Sequence, residues 1–194
     1  MRIEDGLGKN GAAGVTKSGR LQSESVSFLP EEMQALAEQA FVASTGVITL
    51  TGVTKSGVLY LKNEDQTKNL LLSELVICLG KSTGGAGDQI VQMYYAPTGG
   101  TLISGALAAS VGSLNVASTR VPRILAYKGA YAATIVGGLV KRTAVFQDAM
   151  VQHLPTHNVI PAGGLLAVSV TANTSTSSMR VVISAIFSML DVER

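Results

Sequence analysis

Arg180-Val181-Val182-Ile183-Ser184-Ala185-Ile186-Phe187-Ser188-Met189 is the stretch that decides the fold. Its apolar residues recur with a period of two: Val181, Ile183, Ala185, Phe187 and Met189 share one face, while Arg180, Ser184 and Ser188 take the other. Only an extended chain puts alternate residues on one side, so this is a strand with one face on a core. Upstream, Leu166, Val168 and Val170 repeat the pattern after a Pro161-Ala162-Gly163-Gly164 turn, and Asn173 to Ser178 forms a polar loop. The two strands read as a long hairpin.

Further upstream the same period returns. Val47 to Thr51, Val58 to Lys62, Leu70 to Leu79 and Gln89 to Tyr95 read as strands, separated by turns at 52–57 and 63–66. This spacing predicts an antiparallel meander. Ile124 to Tyr127, Ala132 to Val136 and Val145 to Leu154 are further strand candidates, and Arg20 to Phe28 reads as a polar edge strand. One segment has a different period. Met33, Leu36, Ala37, Ala40 and Phe41 fall at i, i+3, i+4, i+7 and i+8, behind Pro30 and the acidic Glu31 and Glu32, with Gly46 as a stop. That predicts one short amphipathic helix packed on a sheet. The expected fold is mainly β: an antiparallel β-sandwich or jelly-roll-like domain over residues 20–194. Residues 1–19, with five glycines and few large aliphatics, form an extended N-terminal arm.

Composition narrows the functional classes. The chain has 194 residues, of which 46% are hydrophobic and 14% charged, with a net charge of +2. A typical chain carries about 25% charged residues. Few charges suit an assembly surface, because desolvating Lys or Glu is costly. Lys and Arg are scattered, so no direct nucleic-acid contact is expected; Lys141-Arg142 reads as a solvated loop or strand edge. No apolar run is long enough for a membrane helix, and Met1 to Gly6 lacks the apolar centre of a secretion signal. The one cysteine, Cys78, lies in the apolar run Leu75–Leu79 and reads as a small core residue.

The chemical motifs fail on context. Gly6-Leu7-Gly8-Lys9-Asn10-Gly11 fits a dinucleotide-binding string, yet five residues precede it and no helix pattern follows. Gly80-Lys81-Ser82 lacks the glycine-rich loop before its lysine, since Leu75 stands where the first glycine belongs. His153 and His157 have the spacing of a helical zinc pair, but Pro155 lies between them, so they read as flanking a loop. Glu74, Asp88 and Asp148 are isolated, and Gly-x-Ser-x-Gly is absent. Asn173-Thr174-Ser175 matches a glycosylation acceptor, to which no weight attaches without a secretion signal. A sugar-binding module would stack its ligand on Tyr94, Tyr95, Tyr127 or Tyr131, residues better suited to packing. The expectation is therefore a non-enzymatic chain with no catalytic, cofactor-binding or metal-binding residues and no cofactor.

Several segments, in order, carry a resemblance: Gly19-Arg20-Leu21-Gln22-Ser23-Glu24-Ser25-Val26, Ile48-Thr49-Leu50-Thr51, Leu59-Tyr60-Leu61-Lys62-Asn63, Gly80-Lys81-Ser82-Thr83-Gly84-Gly85 and Pro97-Thr98-Gly99-Gly100-Thr101-Leu102-Ile103-Ser104. Ile160-Pro161-Ala162-Gly163-Gly164 followed by Asn173-Thr174-Ser175 completes the set. Together they resemble the small structural virion proteins of tailed bacteriophages, of the head surface or tail-associated parts. The similarity spans about residues 19 to 190; residues 105–122 and the C-terminal loop depart from it. The resemblance implies a head decoration or cementing protein that forms a homo-oligomer, a trimer being one order considered. Its partners would be itself and major capsid or tail proteins, and its place the virion, assembled in the host cytoplasm. A tail, adaptor or fibre-anchoring subunit and a host-glycan-binding module are the alternatives.

Overall fold

The computed structural model describes residues 14–15, 21–22, 38–80, 88–104, 107–146, 150–172 and 178–191. The chain divides into two compact units, Met1–Pro30 and Glu31–Arg194. In the first, β1 (Gly14–Val15) pairs antiparallel with β2 (Leu21–Gln22). The rest of the arm and edge-strand expectation for residues 1–28 lies outside the described residues.

The second unit is a two-layer antiparallel sandwich. Among the described residues its strands are β3 (Ala40–Ser44), β4 (Ile48–Thr51), β5 (Lys55–Asn63), β6 (Lys68–Gly80), β7 (Gln89–Tyr95), β8 (Leu107–Ala108), β9 (Ser110–Ser113), β10 (Ile124–Lys128), β11 (Leu139–Phe146), β12 (Met150–Ile160), β13 (Leu165–Thr171) and β14 (Ser178–Asp191), with a helical turn, α1 (Thr101–Ser104). One sheet runs β11-β7-β13-β5-β10-β8, and the other β12-β6-β14-β3-β9, with β4 also pairing β14. We refer to them as the β5 sheet and the β6 sheet. The expected β-sandwich is thus present.

The pairing is not a meander. β5, β6 and β7 follow one another in the chain, yet none pairs with the next, because the chain alternates between the two sheets. The ladders nest instead: β5 with β13, β6 with β12, β7 with β11 and β8 with β10. This is a long antiparallel ribbon wound on itself, the principle of the jelly roll. The expected hairpin of β13 and β14 is likewise corrected. β13 pairs with β5 and β7, while β14 pairs with β6, β3 and β4. Periodicity fixes which side chains face the core; it does not say which strand lies alongside, and here every partner is distant.

The interior lies between the sheets. Phe41, Leu50, Leu59, Leu61, Leu72, Ile77, Leu166, Val181, Ile183 and Phe187 are buried there. Phe41 and Phe187 stack with ring centroids 5.8 Å apart. Each such side chain contributes roughly 1.5–3 kcal/mol through the apolar area it removes from water. The helix expectation fails at its C-terminal end: Ala40 and Phe41 belong to β3, paired with Ser188 and Phe187 of β14. Its first turns, from Pro30 to Ala37, lie outside the described residues. Gly46 marks no helix end. With φ of +62° it bends the chain between β3 and β4, so that both run along β14. Thr45 holds the bend by donating its N–H to the Ile183 carbonyl and accepting the Ile183 N–H on Oγ1, each at 3.0 Å.

The central strands of the β5 sheet, β5 and β13, bury both of their faces. On the sheet's outer face Tyr60, Tyr94, Leu102 and Ala167 form a second small core, packed by Ile103, Tyr127, Ala133 and Ile135. This explains why Ala167 and Ser169 are buried along with Leu166, Val168 and Val170. The segment from Ala132 to Val136 is not a strand, apart from one bridge to Gly99. It is strapped to β5 where Gly57 donates to the Ala133 carbonyl at 2.6 Å. Gly129 lies so close beneath it that a Cβ there would overlap the Gly57 carbonyl oxygen. The expected strand from Val145 to Leu154 also differs: it covers the end of β11 and the start of β12, which belong to different sheets.

Candidate functional site: the paired edge of the sandwich

Two long strands end their sheets on the same side of the sandwich. β11 borders the β5 sheet and β12 borders the β6 sheet. Arg142 joins them, its Nη1 donating to the Pro155 carbonyl at 2.6 Å. Edge strands expose backbone groups and are normally blunted by proline, charge or bulges. β12 shows such blunting. Pro155 supplies no N–H, and the register against β6 shifts between Pro155 and Asn158. His157, in that bulge, has φ of +47°, a left-handed conformation that costs a non-glycine residue energy. Thr156 ties the bulge down by donating its hydroxyl to the Leu72 carbonyl at 2.7 Å.

The side chains of this edge are unusually apolar. On β12 every second residue is exposed: Val151, His153, Pro155, His157 and Val159. On β11 Leu139, Val140 and Val145 are exposed as well, beside Lys141 and Arg142. The Lys141-Arg142 expectation of a strand edge is met. The two histidines do not flank a loop; both belong to β12, because a bulged edge strand tolerates the proline that argued against regular structure. His153 Nδ1 lies 2.9 Å from Glu74 Oε1 on β6, an exposed pair of small energetic weight. Among the described residues no three His, Cys, Asp or Glu side chains converge as a metal site.

The remaining sequence candidates fall elsewhere. Cys78 is not a core residue. It sits half-exposed on the outer face of β6, level with Val151 and Val182, in a shallow apolar depression that Met150 and Arg180 also line. Tyr94 is buried, and Tyr127 stacks on Tyr60 at 5.7 Å. Tyr95 has its hydroxyl enclosed, and burial pushes it up to about 12. Tyr131 is the exposed one of the four, its hydroxyl 3.4 Å from Thr54 Oγ1. Among the described residues Glu74 pairs with His153, and Asp88 is exposed just before β7. The segments Gly6–Gly11, Lys81–Gly87 and Asn173–Ser177, and Asp148, lie outside the described residues.

The exposed row on β12 was not recognised in the sequence as an edge. Its signal is present: a proline inside an alternating run demotes that run to an edge strand. No protein-family model matches the chain, and no curated protein matches it significantly.

Proposed function

We propose that this chain is a structural component of a tailed-phage virion, a head decoration or cementing protein that acts through oligomeric protein–protein contacts. The observation that carries the reading is the apolar edge. Leu139, Val140, Val145, Val151 and Val159 are exposed on the two longest edge strands of a wound β-sandwich. The chain as a whole has only 14% charged residues. Side chains of this kind, gathered on one side, gain free energy when a partner covers them. In a shell, symmetry repeats a modest contact many times, and avidity then replaces single-site affinity. Jelly-roll-like sandwiches are among the architectures that viral shells use.

Copy number is the test. Mass spectrometry of intact particles should find the chain in stoichiometric proportion to the major capsid protein. A few copies per particle would instead favour a tail, adaptor or fibre-anchoring subunit with the same fold. Absence from purified particles would overturn both. Removing residues 2–18 should lower occupancy on particles while leaving the sandwich folded by circular dichroism.

A further inference from the structure

We infer that the cleft beneath the β9–β10 connection holds a glutamate side chain from an acidic segment of a partner protein, its carboxylate on Arg120 and Arg123 and its stem on an apolar floor. The cleft takes this meaning from the reading of the chain as a subunit that acts through protein–protein contacts, and it gives the chemistry of one of them.

Residues 114–123 carry the chain from β9 in the β6 sheet to β10 in the β5 sheet. This connection is tied at both ends. The Leu114 N–H donates to the Ala40 carbonyl and the Glu64 N–H to the Arg123 carbonyl, each at 3.0 Å. Within it the Ala117 N–H donates to Asn115 Oδ1 at 3.0 Å, and the Arg120 N–H to Ser118 Oγ at 3.1 Å. The two arginines therefore stand on backbone that is already held, which lowers the ordering cost of a contact. Beneath them lies a cavity of about 160 Å³. Phe41 of β3 and Met189 of β14, only 1% and 4% exposed, form its floor. Sites for small molecules run to roughly 300–1,000 Å³, so this one suits a single side chain and not a whole cofactor or metabolite.

The charges select an anion. Lys68, Arg120 and Arg123 line the cleft against one carboxylate, Asp65. Lys68 is engaged by Asp191, its Nζ 3.1 Å from Oδ1. Asp65 is occupied by its own turn, where Oδ1 accepts the Thr67 N–H, the Thr67 hydroxyl and the Lys68 N–H. Among the described residues neither Arg120 nor Arg123 makes an ion pair, although Asp65 lies in the field of Arg123. A guanidinium meets a carboxylate in a planar, bidentate pair that an ammonium cannot form. Exposed ion pairs are weak in water, so the apolar surroundings decide which anion belongs here. Inorganic phosphate has nothing to lay on Phe41 and Met189. Glutamate brings a methylene stem, and an apolar neighbour on the same segment can cover Val121, which is 74% exposed beside Arg120.

The test is an NMR titration of the isotope-labelled full chain. The probes are a capped peptide alternating leucine and glutamate, the same peptide with glutamine in place of glutamate, and inorganic phosphate. The glutamate peptide should shift the side-chain Nε–H resonances of Arg120 and Arg123 with a roughly millimolar Kd that rises with added salt. The glutamine peptide and phosphate should leave them in place. Arg120→Gln combined with Arg123→Gln should weaken binding about tenfold or more. Both side chains are exposed, so the circular dichroism spectrum should be unchanged. Arg120→Lys combined with Arg123→Lys keeps the charge without the planar fork and should recover only part of the affinity. An equal response to the glutamine peptide or to phosphate overturns the glutamate assignment, and full recovery by lysine overturns the bidentate pair. Shifts at the two arginines on raising the protein concentration alone would put a second copy in the cleft and overturn the separate partner. A chain present on particles whose arginines ignore the glutamate peptide overturns the cleft alone. A chain absent from particles whose arginines answer it overturns the virion role alone.

Discussion

The two sides of the sandwich end in different ways. On one side the sheets finish in β11 and β12, with eight and eleven residues. On the other they finish in β8 and β9, with two and four. Both sides expose aliphatic side chains: Leu107 and Val116 on the short side, Val151 and Val159 on the long one. The difference is order. Val116 belongs to a turn after β9, whereas the valines of β12 stand on one long strand, on either side of its bulge. Very short edge strands are a device against sheet-to-sheet association. Hydrophobic exposure alone therefore does not set the two sides apart; the length of the strand that carries it does.

The largest expected effect removes the anchor of the long side. Asn63 is fully buried; its Nδ2 donates to the Lys68 and Ile160 carbonyls at 2.9 and 3.1 Å, and its Oδ1 accepts the Asp65 N–H at 3.0 Å. It thus fastens the end of β12 to the start of β6. Asn63→Ala should lower unfolding free energy by about 2–3 kcal/mol in a urea titration, because buried carbonyls lose their donor. A smaller effect follows from Arg142→Ala, which releases the Pro155 carbonyl and unties the two long edges. About 1 kcal/mol is expected, together with faster hydrogen exchange confined to β11 and β12. Val116→Asp probes the short side. It should leave stability within about 0.5 kcal/mol and association unchanged, which separates ordered from scattered exposure. An effect there equal to that of Val151→Asp would erase the distinction.

The smallest effect lies in the turn between the sheets. The Thr67 N–H holds the Asp65 carboxyl below its usual value of 3.8, helped by the Thr67 hydroxyl, the Lys68 N–H and the positive charge of Arg123. Its folded value is depressed, so its contribution is present above the unfolded value and is lost as pH falls through the folded one. Asp65→Asn should therefore flatten stability against pH only in the acid range, below about pH 4. A difference that persists unchanged at low pH would assign the carboxyl's role to something other than its charge.

Strand faces were legible in the sequence and strand partners were not. Gln89–Tyr95 has the expected bounds, and Val181, Ile183, Ala185, Phe187 and Met189 of β14 are buried as read, although Ser188, assigned to the other face, is buried as well. Both follow from local periodicity. The meander and the β13–β14 hairpin were wrong because pairing is decided by how the chain crosses between sheets, which a period of two does not encode. At Ala40 and Phe41 two periods competed. A helical stripe could be drawn through them, but the run Phe41-Val42-Ala43 beside β14, with Phe41 against Phe187, prevailed through tertiary packing. The β11–β12 edge was hidden for a related reason. The segment from 145 to 154 reads as one strand, while the structure cuts it at the point where the chain changes sheet.

Nested pairing also has a kinetic consequence. β5 can complete its ladder only when β13 arrives, so Lys62 leaves a ribosome long before its partner Leu165 exists. Each outer ladder waits on a longer loop than the one within it, and closing such loops costs entropy before any contact repays it. Assembly of this molecule should therefore be slow for its size, with half-made sheets open to solvent during synthesis. Abundant chaperone at that stage, rather than greater final stability, is what would raise its yield.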